Sequence, residues 1–331
     1  MGPKITPASA LEMQDEAARF WASKNGVRFM QGWVEERERT GYPNLFADAG
    51  TRREAELRGL LGARTYFVSE EMVALAEHAA ATMPRQEMIE SDLPCPSGFM
   101  VLEKPIVTPD ARGKQVTIAA YRWWRAPVIY GPRPSDGGAA VDVPLGDGVM
   151  WVYYSDTLDP RDAYMEDIQR IGAPRFPSRL VLLGEDCEVF GKGEVDAEYV
   201  AEKFHAKIED VRQAVMMMRR LPMALWTLMQ QRLAVVTDEK AHRVTRRQLA
   251  RAGSPLAEND VRVVRLRRLT NATPESGEAV EWSHRWIVSG HWRQQWLPSV
   301  KAHRLQWIAP FVKGPDDKPL RVKRTVHSLV R

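Results

Sequence analysis

Cysteine is almost missing from this chain: Cys95 and Cys187 are the two in 331 residues. They lie far apart, with no Cys or His partner at ligand spacing, which excludes a disulfide scaffold and a zinc module and leaves two core thiols. Long apolar runs are missing too. Arg179 to Leu183 and Leu221 to Leu228 fall far short of the roughly 20 residues that a membrane span needs. The first ten residues carry one lysine and lead into an acidic helix, without the basic start and apolar core of a secretion signal, so the expected location is the cytoplasm, with no membrane partner. No glycine-rich loop ends in Lys-Ser or Lys-Thr, and there is no Gly-x-Ser-x-Gly and no His-Glu-x-x-His, which removes the common nucleotide and hydrolase chemistries. Glu185, Asp186 and Glu188 could bind a divalent ion, but a surface turn after a strand at Val181 to Leu183 explains them better. No metal and no cofactor are implied.

Charge is present but unevenly placed. Residues 1–210 hold 24 Lys and Arg against 34 Asp and Glu, whereas residues 211–331 hold 23 against 9. The net +4 therefore conceals an acidic part of −10 and a basic part of +14. A basic block rich in arginine and interleaved with tryptophan is the electrostatic footprint of a surface that meets phosphates. The competing reading is a solvated basic face, or one that docks on the acidic part of the same chain.

Periodicity divides the chain into three stretches. Residues 1–83 read as helical. Leu11, Met13, Ala17, Ala18, Phe20 and Trp21 make one apolar face over Ser9 to Ala22, Lys24-Asn25-Gly26 is the expected stop, and Val27 to Glu38 and Arg52 to Leu61 follow. Ser69 is an N-cap for Met72 to Thr82, with Glu70 and Glu71 at the positive helix end. Residues 84–236 read as a β-rich middle with helices. Its strands are Gly98 to Leu102, Gln115 to Trp124, Val149 to Tyr154 and Arg179 to Leu183, with a loop at Arg133 to Gly138 and a hairpin turn at Asp147-Gly148. Helices are expected at Ala197 to Arg219 and Leu221 to Arg232, with Met216, Met217 and Met218 as core filler. Residues 237–331 read as a basic C-terminal module. Val261 to Arg268 is a strand carrying Arg262, Arg265, Arg267 and Arg268, which argues against a helix-turn-helix. Val280 to Leu297 and His303 to Val312 are two long strands, with Leu320 to Val326 a third. The fold class expected is α+β, with an N-terminal helical region, a β-rich middle and a C-terminal antiparallel sheet.

The stretch from Ser283 to Trp296 is the most informative. As one extended strand it places Arg285, His291, Arg293 and Gln295 on one face and His284, Trp286, Trp292 and Trp296 on the other. Gly290 within it signals a bulge or a close approach. Arg304, Gln306, Trp307 and Phe311 offer the same mixture on the following strand. Aromatic rings and guanidinium planes stack on splayed bases, and arginines neutralise phosphates, so this surface suits RNA. Metal-independent cleavage would need a base, an acid and a cation, roles open to His291, His303 or His284 with Arg293. A single histidine on a sheet is more often structural, and the tryptophans more often fill core and rim.

At Gly290-His291-Trp292-Arg293, followed by Trp307 to Val312, the chain resembles the C-terminal region of the large type V-A anti-CRISPR proteins and their phage- and plasmid-encoded relatives. His284, Gly290, His291, Trp292, Trp307 and Pro310 occupy the places of that family's Gly-His-Trp strand and of the second strand that follows it. The opening helices, Tyr66 to Ala79, Leu93-Pro94, Phe99 to Leu102 and Leu221 to Leu228 occur in the same order. Arg293 stands where a histidine is common, and Leu297 to Lys301 lacks the expected glycines. The resemblance implies a mobile-element protein that suppresses a host defence nuclease by engaging its nascent chain and promoting loss of its mRNA. Two other readings stand beside it. One is a non-enzymatic DNA-binding regulator or replication accessory that grips duplex phosphates with Thr237 to Arg268. The other is a pure protein-interaction inhibitor that uses its acidic part.

Overall fold

The structure, a computed structural model, describes residues 4–40, 48–84, 87–110, 113–129, 144–162, 178–191, 208–267, 285–298, 301–313 and 320–321. His284, Arg268, the expected loop at Arg133 to Gly138, the start of the helix expected from Ala197 and the end of the strand expected to reach Val326 lie outside them.

The protein is α+β. Three helices open it: α1 (Pro7–Ala22), α2 (Lys24–Thr40) and α3 (Ala49–Gly62). Thr6 and Ser9 cap α1 reciprocally, satisfying backbone donors that have no partner within the helix. The break before α2 falls at Ser23, where the hydroxyl donates to the Phe20 carbonyl and accepts from the Gly26 N–H. Lys24-Asn25-Gly26 therefore starts the second helix instead of stopping the first. Strand β1 (Arg64–Val68) follows, then α4 (Glu70–Ala81), whose N-cap is Ser69 as expected.

Strands β2 (Ser97–Pro109), β3 (Gln115–Ile129), β4 (Pro144–Asp156) and β5 (Leu180–Val189) come next, then α5 (Ile208–Val215), α6 (Leu221–Met229), β6 (Ala234–Lys240), α7 (Arg243–Arg251) and β7 (Asp260–Leu266). One seven-stranded sheet takes β5-β4-β3-β2-β1-β7-β6 in that order. β1 runs parallel to both β2 and β7, and the remaining pairs are antiparallel. The sheet crosses the sequence boundaries at 83 and 236, because β1, the middle strands and β7 all belong to it. The arginine-bearing strand β7 is thus an inner strand beside β1. Asp147-Gly148 lies inside β4, paired with Pro127 and Ala126 of β3, so no turn forms there.

Alternation buries both faces of the sheet. Tyr66, Val68, Met100, Leu102, Tyr121, Trp123, Trp151 and Val264 pack with α4 and α6. Phe67, Phe99, Val101, Ala120, Val152, Tyr154 and Val263 pack with α1 and α3. Trp123, Trp151 and Trp226 are fully buried and meet edge-on or tilted at 5.4 and 5.9 Å between ring centroids. A π-helical turn, Met216–Arg220, joins α5 to α6. Such a turn leaves carbonyls open, and here Tyr121 and Trp151 donate to the Met217 and Met218 carbonyls at 2.7 and 2.9 Å. Of the three methionines Met217 is core, while Met216 and Met218 pack at its margin.

The acidic run on β5 is neither a turn nor a cluster, since alternation sends its members to opposite faces. Glu185 meets Arg52 of α3, at 2.9 Å. Asp186 and Glu188 both hold Arg219 of the π-helical turn. Burial, and then the Asp186 charge, push the intervening Cys187 thiol up to about 12, so it is an inert thiol.

Candidate nucleic-acid interface

The C-terminal residues form small sheets outside the large one. The expected long strand from Val280 is interrupted at Ser289-Gly290. β8 (Arg285–Val288) pairs with β11 (Phe311–Lys313) and β12 (Leu320–Arg321), whereas β9 (His291–Leu297) forms an antiparallel hairpin with β10 (Ala302–Ile308). Glycine at the interruption has a steric reason. A Cβ at Gly290 would lie 2.5 Å from Cζ2 of Trp307 and 3.0 Å from Cδ of Pro310. The Gly-His-Trp strand and the Trp-to-Pro strand of the resemblance thus meet at one contact.

Register fixes which side chains share a face. Trp292 is opposite Trp307, Gln294 opposite Leu305 and Trp296 opposite His303. This inner face turns toward the body of the protein. The Trp292 indole donates to the Ala79 carbonyl at the end of α4, at 2.8 Å. Trp307, 2% exposed, meets Trp292 and His78 edge-on at 5.2 and 5.7 Å. Gln231, just beyond α6, accepts from the Trp307 N–H and donates to the Leu305 carbonyl. It holds β10 as a neighbouring strand would.

On the outer face, His291, Arg293 and Gln295 stand opposite Ile308, Gln306 and Arg304. His291 and Arg293 are exposed. The His291 Nδ1 lies 3.1 Å from the Ser289 carbonyl. Arg293 meets no carboxylate among the described residues. Arg304 bends back from this face to Asp92 and Ser91. Burial raises the Asp92 carboxyl above its ordinary range, and the Ile89 N–H and Arg304 pull it partly back. From Arg285 to Gly314 the sequence holds five cationic side chains and no Asp or Glu.

The candidate histidines are not brought together. His291 lies on the outer face and His303 on the inner one, five residues apart along the hairpin, or about 17 Å at the rise of an extended strand. A base and an acid for one phosphodiester must both lie within hydrogen-bond reach of it, so these two do not form a cleavage pair. Of Arg285 the structure places only the backbone, on β8 in the other small sheet. Arg265 and Arg267 are on or beside β7, in the large sheet and not in the hairpin. Arg265 pairs with Glu239 at 2.6 Å and Arg262 with Asp238 at 3.0 Å. Those arginines already face carboxylates on β6.

The sequence matches no protein-family model. No curated protein sequence is similar to it either. Among solved structures the chain is similar to the one titled "Crystal structure of AcrVA2", at 13% identity, over 92% of this chain and 98% of that one, with a TM-score of 0.38. A likeness at that score carries no argument, so function is argued from the site.

Two features escaped sequence reasoning. One is a buried ion network. Glu56, fully buried on α3, accepts from Arg122 at 2.6 and 3.0 Å, from Arg52 at 2.8 Å and from the Tyr154 hydroxyl. The Arg122 guanidinium stacks 4.0 Å over Trp124. Burial alone would raise the Glu56 carboxyl, but Arg122 and Arg52 outweigh it and hold it below the ordinary range. The i, i+4 spacing of Arg52 and Glu56 was the available signal, and it reads equally well as a solvent-exposed pair. The other is that Thr237 to Arg268, read as a basic segment, contains a helix, α7, which sets its Arg243, Arg247 and Arg251 every four residues on an exposed face. None of the three meets a carboxylate among the described residues.

Proposed function

We propose that this is a phage- or mobile-element-type protein that acts on RNA, as the type V-A anti-CRISPR resemblance implies, and that it holds single-stranded RNA on the outer face of the β9–β10 hairpin without cutting it. The observation that carries the proposal is an exposed face bearing His291, Arg293, Gln295 and Gln306, set in a stretch of sequence that has no carboxylate. Phosphates gain from Arg293, and the planar amide, imidazole and guanidinium groups stack on or hydrogen-bond to unpaired bases. The geometry favours binding over cleavage because His291 and His303 occupy opposite faces. A protein target, also implied by the resemblance, would meet the acidic residues 1–210.

The test is retention of labelled single-stranded RNA, single-stranded DNA and duplex DNA, with chelator present, at two salt concentrations. RNA retained without shortening, and weakened by salt, supports the reading. Metal-free cleavage would restore a catalytic role for the histidines, and no retention of any of the three would remove the nucleic-acid reading. A second reading, binding of duplex phosphates, is favoured by the arginine face of α7. It predicts that duplex is preferred and that Arg247→Glu weakens binding more than Arg293→Glu does.

A further inference from the structure

Trp307 and Leu305 of the hairpin's inner face join the core, and the face beyond Leu305 does not. At that end Gln294, His303 and Leu305 roof a cavity of about 280 Å³, whose remaining walls are Glu87, Asp92, Thr227 and Arg304. Trp296, on the same face, stands 46% exposed with its ring 5.0 Å from that of His303. Its indole thus stands beside His303, a lining residue of the cavity, with a face open to solvent. The volume is at the small end of ligand sites, which run from roughly 300 Å³ upward, and suits one planar group.

The lining is sorted by hydrogen-bonding type. Glu87 and Asp92 supply carboxylate acceptors. Arg304 gives one nitrogen to Asp92 at 3.2 Å and another to Ser91 at 2.8 Å, and a guanidinium carries five N–H donors, so donors remain for a ligand. Gln294 serves in either sense, whereas the Thr227 hydroxyl already donates to the Met223 carbonyl at 2.9 Å and is left as an acceptor. Glu87 has no hydrogen bond or ion pair with any described residue.

We propose that this cavity takes a guanine base from the bound RNA, with Trp296 stacking on that base or its neighbour. The inference rests on the RNA-binding reading above. Guanine presents two adjacent donors, N1–H and the exocyclic amine, which one carboxylate accepts together. Its O6 and N7 are paired acceptors that match a guanidinium. Adenine and cytosine each place an acceptor ring nitrogen against the carboxylate, and uracil offers a single donor there.

The experiment is equilibrium binding of fluorescent ten-nucleotide uridine oligomers in which one central position is G, A, C or U, with wild type and Glu87→Gln. Wild type should prefer the G-centred oligomer by about tenfold or more, the worth of one good bidentate base contact. In Glu87→Gln the ratio of G-centred to all-U affinity should fall toward one. Equal affinity for all four oligomers, or a G preference unchanged in Glu87→Gln, overturns the pocket while leaving the hairpin reading intact. No binding of any oligomer overturns both. Unlabelled GMP is the competing arm: displacement of the G-centred oligomer by micromolar GMP would make a free guanine nucleotide the occupant and overturn RNA as its source.

Discussion

Replacing Gly290 by alanine should release the hairpin while leaving the large sheet folded. The backbone of Gly290 is not in the left-handed region, which among the described glycines is occupied by Gly113, Gly146, Gly191 and Gly253, so alanine meets no backbone strain there. The cost is contact. The new Cβ would sit 2.5 Å from Cζ2 of Trp307, against the roughly 3.5–4.0 Å at which carbon atoms rest, so one of them must move by about 1 Å. Trp307 has little room to move, because Trp292 and His78 hold its ring edge-on and Gln231 holds its backbone. Overpacking of this kind costs about 1–3 kcal/mol, on the order of a five- to 160-fold rise in the open form of the hairpin. Hydrogen exchange resolved by peptide measures it. Amides of β9 and β10 should exchange that much faster, while β1 to β4 keep wild-type protection and RNA affinity falls. Unchanged exchange in β9 and β10 would refute the steric account of the Gly-His-Trp motif.

Glu56→Gln should destabilise the protein by about 3–5 kcal/mol, since it leaves Arg52 and Arg122 buried with one carboxylate fewer. Denaturant unfolding measures this, and the exposed Glu54→Gln should stay within roughly 0.5 kcal/mol of wild type. The same carboxyl sets a pH dependence. Its folded value lies below the ordinary 4.5, so its stabilisation is complete above that pH and is lost as pH falls through the folded value. Stability should therefore fall less steeply with acidification below pH 4.5 in Glu56→Gln than in wild type. Cys187, pushed up to about 12, should react with iodoacetamide at pH 8 on the order of a thousandfold more slowly than an ordinary thiol, and normally after denaturation, as peptide mass spectrometry would show.

The helices and inner strands were legible because their signals are local and repeated. Ser69 capped its helix as read, the apolar face of α1 is buried, and each middle strand lies where alternation put it. What the sequence did not disclose was long-range. β7 joins β1 in a sheet that spans all three stretches, which no local period encodes. The β5 carboxylates read as a surface turn because their partners, Arg52 and Arg219, lie 133 and 33 residues away in sequence. At the candidate interface, Gly290 signals a bulge or a close approach of another backbone; what approaches is the Trp307 ring, and the division of the strand there was not foreseen, because its pairing partners lie on other strands. The histidine cluster was the weakest inference. Three histidines within twenty residues looked like a site, and the hairpin register separated the two that are described. Lys301, at φ 48°, fills the left-handed position of the hairpin connection, where a glycine was expected from the resemblance.

The most direct test of the proposed interface is the affinity of wild type and Arg293→Glu for single-stranded RNA at low and moderate salt. Arg293 lies on the outer face with no carboxylate partner among the described residues, so reversal should leave the thermal midpoint unchanged. It should weaken RNA binding at least tenfold and flatten the dependence of log affinity on log salt by about one to two charges. An unchanged affinity and an unchanged slope in a folded Arg293→Glu protein would contradict an RNA-binding face on this hairpin.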